Sequence, residues 1–372
     1  MRRNGSRMDL ECKTIHVMMW KKERSKGHLG KCFGRENVMD KKGKKNGYLL
    51  GIDQGGTKTA AAVMREDGFI VGRATVKGAY FPDEGVENAL ERMKEAVEEA
   101  VRSAGIGKED IVHTVAGVGG IDWQGDDVMI RDALQEKLAL QEVFACNDAV
   151  IAFYSGAMRS HGAVICAGTG MNGALIDKEG RQFVYGDYME EKAQGGSALA
   201  KRALRKVFDA ELGLCPPTKL TPLFLGQAGV SDVDALLKRY MTESEFRKEL
   251  RFLMPQILMV AKTEDGAACA LLDEFSKELV AYIEAGFRKM GMKPEEEEIV
   301  LAGSIFKGAD NPLTSRVVRG VQERMKGAEV VQAYYEPVVG ACIMGLVRLG
   351  MDLTEREKSI RESAAVLGLL RS

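Results

Sequence analysis

Two stretches of the chain share one pattern of apolar runs broken by glycine-rich turns. They span residues 48–72 and 161–185, and Gly168 lies 112 positions after its counterpart, Gly56. Short apolar runs bounded by glycine turns are typical of β-hairpins. A hairpin that recurs at a fixed offset predicts a duplicated unit and therefore two similar lobes, although two unrelated hairpins could also look alike.

Helical periodicity and further strands fill the intervals between the hairpins. In residues 84–104 apolar side chains recur every third or fourth position, which predicts a surface helix covering a sheet. Strands are predicted at 111–115, 143–145 and 298–301, each before a helical stretch. The alternation predicts a layered α/β fold with two lobes and with sites at the strand ends.

Four segments are expected along the chain. Residues 1–46 form a basic extension, 47–155 a first lobe, 156–350 a second lobe with a helical insert, and 351–372 a C-terminal helix. The extension has fourteen Lys and Arg against five Asp and Glu, whereas the rest of the chain has a net charge of −10. It shows no helical period, and Met39 is a plausible alternative start. We expect a flexible extension, not necessarily native, that takes no part in the fold.

Composition narrows the class of protein. Of the 372 residues 45% are hydrophobic and 29% are charged, which is typical of a soluble globular protein. No apolar run approaches the roughly 18 residues of a membrane span. The seven cysteines are scattered without a C-x-x-C pair, so reduced thiols and a cytoplasmic location are expected.

Two glycine turns carry the candidate phosphate chemistry. Glycine lets backbone N–H groups approach phosphate oxygens closely, and Asp53 at a strand end could hold hydrated Mg²⁺. A tight hairpin without a ligand is the alternative for the first turn. Two facing turns could instead bind the phosphates of ATP from opposite sides. Neither turn contains a Walker A motif, so this would be a different kind of phosphate site. The predicted ligands to ATP are Asp53, Gly55, Gly56, Thr57, Lys58, Thr59, Gly168, Thr169 and Gly170.

Two further positions complete the candidate site. Asp148 follows a short strand, opens a helix and lies in sequence between the two turns, so it is either a helix cap or a base that accepts a hydroxyl proton. The loop after the 298–301 strand would let the backbone pass under an adenine, unless it is an ordinary connection. Its residues are Gly303, Ser304, Ile305, Phe306 and Lys307.

Taken in series, these motifs resemble the BadF/BadG/BcrA/BcrD ATPase family over about residues 47–350. Its best-understood members are N-acetylglucosamine kinases of the actin-like sugar-kinase superfamily. The resemblance implies two ribonuclease-H-like lobes with ATP and Mg²⁺ in the cleft, Asp53 near the metal, Asp148 as the base and the 303–307 loop beside adenosine. The implied substrate-binding residues are Gly117, Asn147, Asp148, Asn172 and Asp187.

The substrate is the least determined feature. Gln54 stands where the family usually has a glycine, Met171 stands where it often has a serine, and no Asn occurs in 78–81, where a sugar-contacting Asn is expected. The expected substrate is a small sugar, N-acetylglucosamine or a related N-acetylhexosamine, including a muropeptide sugar such as N-acetylmuramate. A homodimer is left open, and we expect no membrane or nucleic-acid partner.

Two other functions remain as alternatives. An ATP-hydrolysing activator of a radical dehydratase or reductase would need exposed thiolates to hold an iron–sulfur cluster between subunits. A sugar-responsive regulator would need a DNA-binding element, and the basic extension lacks the periodicity of a helix-turn-helix. The acidic charge of the remaining chain also disfavours DNA binding.

Overall fold

A computed structural model describes residues 47–168, 170–189 and 195–371. The basic extension, 1–46, lies outside these residues. The strands are β1 Tyr48–Gln54, β2 Lys58–Arg65, β3 Ile70–Lys77, β4 Ile111–Val118, β5 Val143–Asn147, β6 Gly162–Ala167, β7 Met171–Ile176, β8 Gln182–Val184, β9 Glu298–Ala302 and β10 Glu329–Gln332. The α-helices are α1 Phe81–Glu84, α2 Val86–Ala104, α3 Asp126–Leu138, α4 Asp148–Tyr154, α5 Gly195–Glu211, α6 Leu220–Ala228, α7 Val233–Thr242, α8 Ser244–Glu249, α9 Met254–Lys262, α10 Gly266–Met290, α11 Pro312–Arg324, α12 Pro337–Arg348 and α13 Glu357–Val366.

The strands form two five-stranded sheets with the same topology. The first has the order β3-β2-β1-β4-β5 and the second the order β8-β7-β6-β9-β10. In each sheet the first three strands in sequence pair antiparallel, and the last two run parallel to the first of them. The prediction of a duplicated hairpin unit within an α/β fold is therefore confirmed.

Helices α4 and α12 lie between the two sheets. Their side chains share one buried cluster with residues of both sheets, such as Leu49 of β1 and Val164 of β6. Gly340 allows α12 to approach α4 closely, because a Cβ there would collide with the Ile151 carbonyl. A helix that is apolar on all sides is stable only when it is buried on all sides. The position between the two sheets buries α4 and α12 in this way.

The position of α12 bears on the predicted lobes. It falls within the range 156–350 proposed for the second lobe, yet it packs against β1 and β4 of the first sheet. The C-terminal helix α13 likewise contacts β3. The chain thus returns to the first sheet after completing the second, and the exact lobe boundaries stay a prediction.

The helical insert predicted in the second lobe is a series of separate helices, α7 to α10. Asp265 interrupts it by capping α10, where its carboxylate accepts a hydrogen bond from Ala268 N at 3.0 Å. The same carboxylate accepts hydrogen bonds from Thr218 Oγ1 and Lys219 N, both at 2.8 Å. Asp265 therefore ties the insert to the segment before α6. None of the described helices is long and apolar enough to cross a membrane.

Candidate active site

The carboxyl ends of three parallel strands meet at one edge of the first sheet. Asp53 of β1 lies beside Gly117 of β4, and Val118 of β4 lies beside Asn147 of β5. Just beyond the strand ends, Gly119 N donates a hydrogen bond of 2.8 Å to the carbonyl of Gln54. This edge is where ligands bind in open α/β sheets.

Asp148 lies over this edge at the start of α4. A Cβ on Gly119 would be 3.4 Å from Asp148 Oδ2, so glycine there leaves space beside the carboxylate. Burial, together with the negative charges of Asp53 and Asp122, raises the pKa of Asp148 to about 7, against hydrogen bonds from the backbone at the helix start that lower it. Asn147 caps the helix instead, because its side chain accepts a hydrogen bond from Ala149 N. The Asp148 carboxylate is therefore not needed as the cap.

Asp53 is the second carboxylate of the site. It is 9% exposed, and burial raises its pKa to about 6, with Lys58 lowering it and Glu336 raising it. The negative charge of Asp53 is also one of the causes that raise the pKa of Asp148. A cation between them would favour the charged form of both.

The carboxylates suit a hydrated magnesium ion. Mg²⁺ keeps several waters and is usually bound through one or two carboxylates together with substrate phosphates. Across 47–168, 170–189 and 195–371, no group of three or more His, Cys, Asp or Glu residues is placed to hold a metal. A single buried carboxylate at a strand end, as in Asp53, fits a magnesium ion bound together with phosphates.

The first glycine turn joins β1 to β2 and is closed by a hydrogen bond of 3.0 Å from Gly55 N to Lys58 O. Gly56, Thr57 and Lys58 are exposed and available to a ligand. Thr59 differs, because it is 0% exposed in β2 and its hydroxyl has no hydrogen-bond partner among the described residues. The structure therefore places Thr59 inside the hairpin rather than on its open side.

The second glycine turn has the equivalent place in the second sheet. Gly168 N donates to Gly170 O at 2.9 Å, and Gly168 O accepts from Gly196 N at 2.8 Å. Thr169 lies outside the described residues. Gly303, with φ of +104°, follows β9 and packs on the backbone of Ala167, where a side chain would collide. The two loops thus meet at the carboxyl edge of the second sheet.

The loop predicted to flank adenosine has two buried side chains between two exposed ones, Ser304 and Lys307. Ser304–Phe306 form a single turn in which Ile305 and Phe306 are each 2% exposed, while Lys307 is exposed. A small cavity lies against this loop. Its lining residues are Leu301, Gly303, Phe306, Lys307, Gly308, Gln332, Ala333 and Arg371.

Asn147 and Asn172, both predicted to contact the sugar, form a bridge between the lobes. Asn172 Nδ2 donates to Asn147 Oδ1 at 3.2 Å, and Asn172 Oδ1 accepts from Gly186 N at 3.1 Å. Asn147 Nδ2 donates to Asp122 Oδ1 at 2.9 Å. Asp187 follows directly, within the short helical turn Gly186–Tyr188.

Gly117 is not part of this bridge. It lies inside β4 between β1 and β5, and a Cβ there would collide with Ile151 of α4. The structure therefore gives Gly117 a packing role beneath the site, and Gly119 is the glycine beside Asp148.

Three charged residues near the site were missing from the sequence prediction. The negative charge of Asp122 raises the pKa of Asp148, and the Asp122 carboxylate accepts a hydrogen bond from the side chain of Asn147. Glu336 accepts from Lys58 Nζ at 2.7 Å and from Arg371 Nε at 3.3 Å. A Glu directly before Pro337 at a helix start was a visible signal, whereas Asp122 and Arg371 have no distinctive local sequence.

Two duplicated sheets with polar loops at their carboxyl edges define a two-lobed α/β protein with the fold of the actin-like sugar kinases. Solved structures agree: a candidate N-acetylglucosamine kinase from Chromobacterium violaceum has a TM-score of 0.57 at 20% identity, covering 81% of this chain and 99% of that one. A ROK family glucokinase from Streptomyces griseus, in complex with glucose and AMPPNP, has a TM-score of 0.52 at 20% identity, with the same coverage.

The chain belongs to the BadF/BadG/BcrA/BcrD ATPase family, whose model matches residues 50–345. It is 24% identical over 314 residues to the N-acetyl-D-glucosamine kinase of Dictyostelium discoideum, covering 80% of this chain and 97% of the relative. It is 25% identical over 293 residues to a glucosamine kinase of Vibrio cholerae, covering 76% and 94%.

Proposed function

We propose that this protein transfers the γ-phosphoryl group of ATP to a hydroxyl of an amino sugar, N-acetylglucosamine or a related N-acetylhexosamine. Family membership supports the use of ATP, and two of the similar proteins are named as kinases of amino sugars. The observation that carries the proposal is the Asp148 carboxylate, which lies at the strand edge with a pKa raised to about 7. A general base works best when its pKa is near the working pH.

In the proposed reaction, Asp148 accepts the proton of the sugar hydroxyl. The hydroxyl oxygen forms a bond to the γ-phosphorus while the bond from that phosphorus to the bridging oxygen breaks, and ADP leaves with the electron pair. In the Asn147–Asn172 bridge, one N–H of Asn172 has no partner among the described residues, and it can donate a hydrogen bond that orients the sugar. Orientation of this kind contributes strongly to the rate of a two-substrate reaction.

The phosphates have their own set of groups. The exposed turn from Gly56 to Lys58 offers backbone N–H groups and one ammonium from the first lobe. Gly168 and Gly170 offer a second turn from the other lobe. Mg²⁺, when bound, neutralises phosphate charge, and Asp53 would hold it through its buried carboxylate.

The two alternatives gain less support. Of the cysteines in the described ranges, Cys146 and Cys342 are buried and Cys166, Cys215 and Cys269 are partly buried. An iron–sulfur cluster shared between subunits needs thiolates that reach the surface. A regulatory function would depend on the basic extension, which lies outside the described residues.

Release of ADP by the purified protein tests the proposal. Mg²⁺ and ATP are supplied without an acceptor or with N-acetylglucosamine, glucosamine, N-acetylmannosamine, N-acetylmuramate or glucose, each in parallel. We expect release that depends on one amino sugar, and that dependence would identify the substrate. ADP release that no sugar stimulates would overturn the proposal.

The role of Asp148 is tested separately. Asp148→Asn keeps the shape of the side chain and removes the base, so turnover should fall about 100- to 10,000-fold. Asp132→Asn, the same exchange at an exposed position of α3, is the matched control and should retain wild-type turnover. Substantial activity of Asp148→Asn would contradict the assignment of the base.

A further inference from the structure

The last residues of the chain return to the cleft. Tyr335 forms a β-bridge with Leu370, and two hydrogen bonds of 2.9 Å flank it: Glu336 N donates to Leu369 O, and Arg371 N donates to Tyr334 O. The backbone of the terminal segment is therefore fixed against the start of α12. These backbone hydrogen bonds hold Arg371 in place, although it is the penultimate residue of the chain.

Arg371 shares one carboxylate with the lysine of the first glycine turn. Glu336 accepts from Arg371 Nε through Oε1 at 3.3 Å and from Lys58 Nζ through Oε2 at 2.7 Å. The Arg371 side chain is only 16% exposed. One anion thus holds two cations, one from the first lobe and one from the terminal segment.

The guanidinium also lies beside the loop predicted to flank adenosine. Arg371 lines the same cavity as Gly303 and Lys307. Its positive charge lowers the pKa of Asp53 at the end of β1 and that of Cys166 near the end of β6. Arg371 thus shares a carboxylate with the first glycine turn and a cavity with the loop after β9, the two elements to which the proposed function assigns the nucleotide.

The donors of Arg371 are unevenly used. Its Nε is engaged by Glu336, whereas the two terminal nitrogens have no hydrogen-bond partner among the described residues. A guanidinium has five N–H donors in a planar fork that matches phosphate oxygens. Because only the Nε–H of Arg371 is used by Glu336, the four N–H donors of its two terminal nitrogens are left for an anion.

We propose that Arg371 is a nucleotide-binding residue that donates from its terminal nitrogens to the β- or γ-phosphate, and that Glu336 positions both Arg371 and Lys58 for this contact. The inference rests on the nucleotide use in the proposed function and adds a residue outside the matched family region, 50–345. It makes the terminal segment part of the phosphate site.

Direct binding of ATP, ADP and AMP to the full-length protein, without sugar, tests the inference by calorimetry. A hydrogen bond to a charged group contributes about 1.5–3 kcal/mol, so Arg371→Gln should weaken ADP and ATP binding about 10- to 100-fold. AMP, which lacks the outer phosphates, should bind the variant and the wild type alike. The affinity of Arg371→Gln for ADP should also depend less steeply on salt.

Two further variants serve as controls. Arg356→Gln removes a guanidinium that donates to the carbonyls of Glu66 and Asp352, away from the cleft, and should leave ADP binding unchanged. Arg371→Lys keeps the charge but loses the fork, and should bind ADP with intermediate affinity. This variant also provides a test if Arg371→Gln has a lowered melting temperature.

The outcomes separate the two proposals. If the wild type binds ADP and both Arg371 variants bind it within twofold of that affinity, the inference about Arg371 is wrong while nucleotide use stands. If the wild type binds neither ADP nor ATP, the proposed function fails and the inference fails with it.

Discussion

Replacing Asp148 with Asn should stabilise the ligand-free protein at alkaline pH while it abolishes catalysis. The folded protein holds the pKa of Asp148 at about 7 against an ordinary value of 3.8, through burial and the charges of Asp53 and Asp122. Folding therefore disfavours the ionised carboxylate. Because the folded state binds the proton more tightly than the unfolded state, wild-type stability decreases as the pH rises from about 4 to 7.

The magnitude follows from the size of the shift. A rise from 3.8 to about 7 is roughly three pKa units, and each unit corresponds to about 1.36 kcal/mol. The upper limit above pH 7 is thus about 4 kcal/mol. Partial exposure of Asp148 and its coupling to Asp53 reduce the expected gain to about 2 kcal/mol at pH 8.5. Near pH 4.5 both proteins hold a neutral side chain when folded, and the gain should fall below about 1 kcal/mol.

Melting temperatures at pH 4.5 and pH 8.5 provide the assay, with EDTA present and no nucleotide. At roughly 2.1 cal/mol/K of unfolding entropy per residue, about 1 kcal/mol shifts the melting temperature of a fold of this size by roughly 1–2 °C, so the variant should melt about 2–4 °C higher at pH 8.5. Asp132→Asn, at an exposed site, should show no such difference between the two pH values. A gain for Asp148→Asn that is equal at both pH values, or a loss at pH 8.5, would refute the reasoning.

Three further predictions concern the rate, the second sheet and the bridge between the lobes. The wild-type kcat/KM should fall tenfold per pH unit below about pH 7, because protonated Asp148 cannot accept the hydroxyl proton; a flat profile between pH 5 and 7 would exclude it as the base. Gly303→Ala should lower the urea midpoint more than Gly308→Ala: both glycines have positive φ, but only Gly303 packs on another backbone, so equal effects would contradict the close packing. Asn172→Ala should raise the KM for the sugar about tenfold with the KM for ATP little changed, since Asn172 bonds to Asn147 and Gly186; an equal rise in both KM values would argue against a sugar-side role.

The fold was largely predictable because its signals are local. Glycine turns and short apolar runs recur in the same order in both halves, and each indicates its own backbone conformation. Parallel strands then bring their carboxyl ends to one edge. The meeting of Asp53 with Asp148 follows from that topology, although the two residues are 95 positions apart.

The charge arrangement of the site was harder to predict because it depends on distant contacts. Arg371 reaches the cleft only through the β-bridge between Tyr335 and Leu370. Thr59 was predicted as a ligand to ATP, but it is fully buried in β2, where it pairs with Gln54 of β1. Gly117 was assigned to the substrate, but packing against Ile151 accounts for its small size.

The distribution of charge connects the stability of the protein with its proposed function. Asp53 and Asp148 are buried together at a cost to folding, whereas Lys58 and Arg371 share the single carboxylate of Glu336. The two carboxylates therefore carry excess negative charge, and the two cations carry excess positive charge. Bound Mg²⁺ would favour the ionised carboxylates, and bound phosphate would use the unengaged donors of the cations. A ligand carrying both charges should therefore bind more tightly than either ion alone, as expected for a site selected for MgATP rather than for stability.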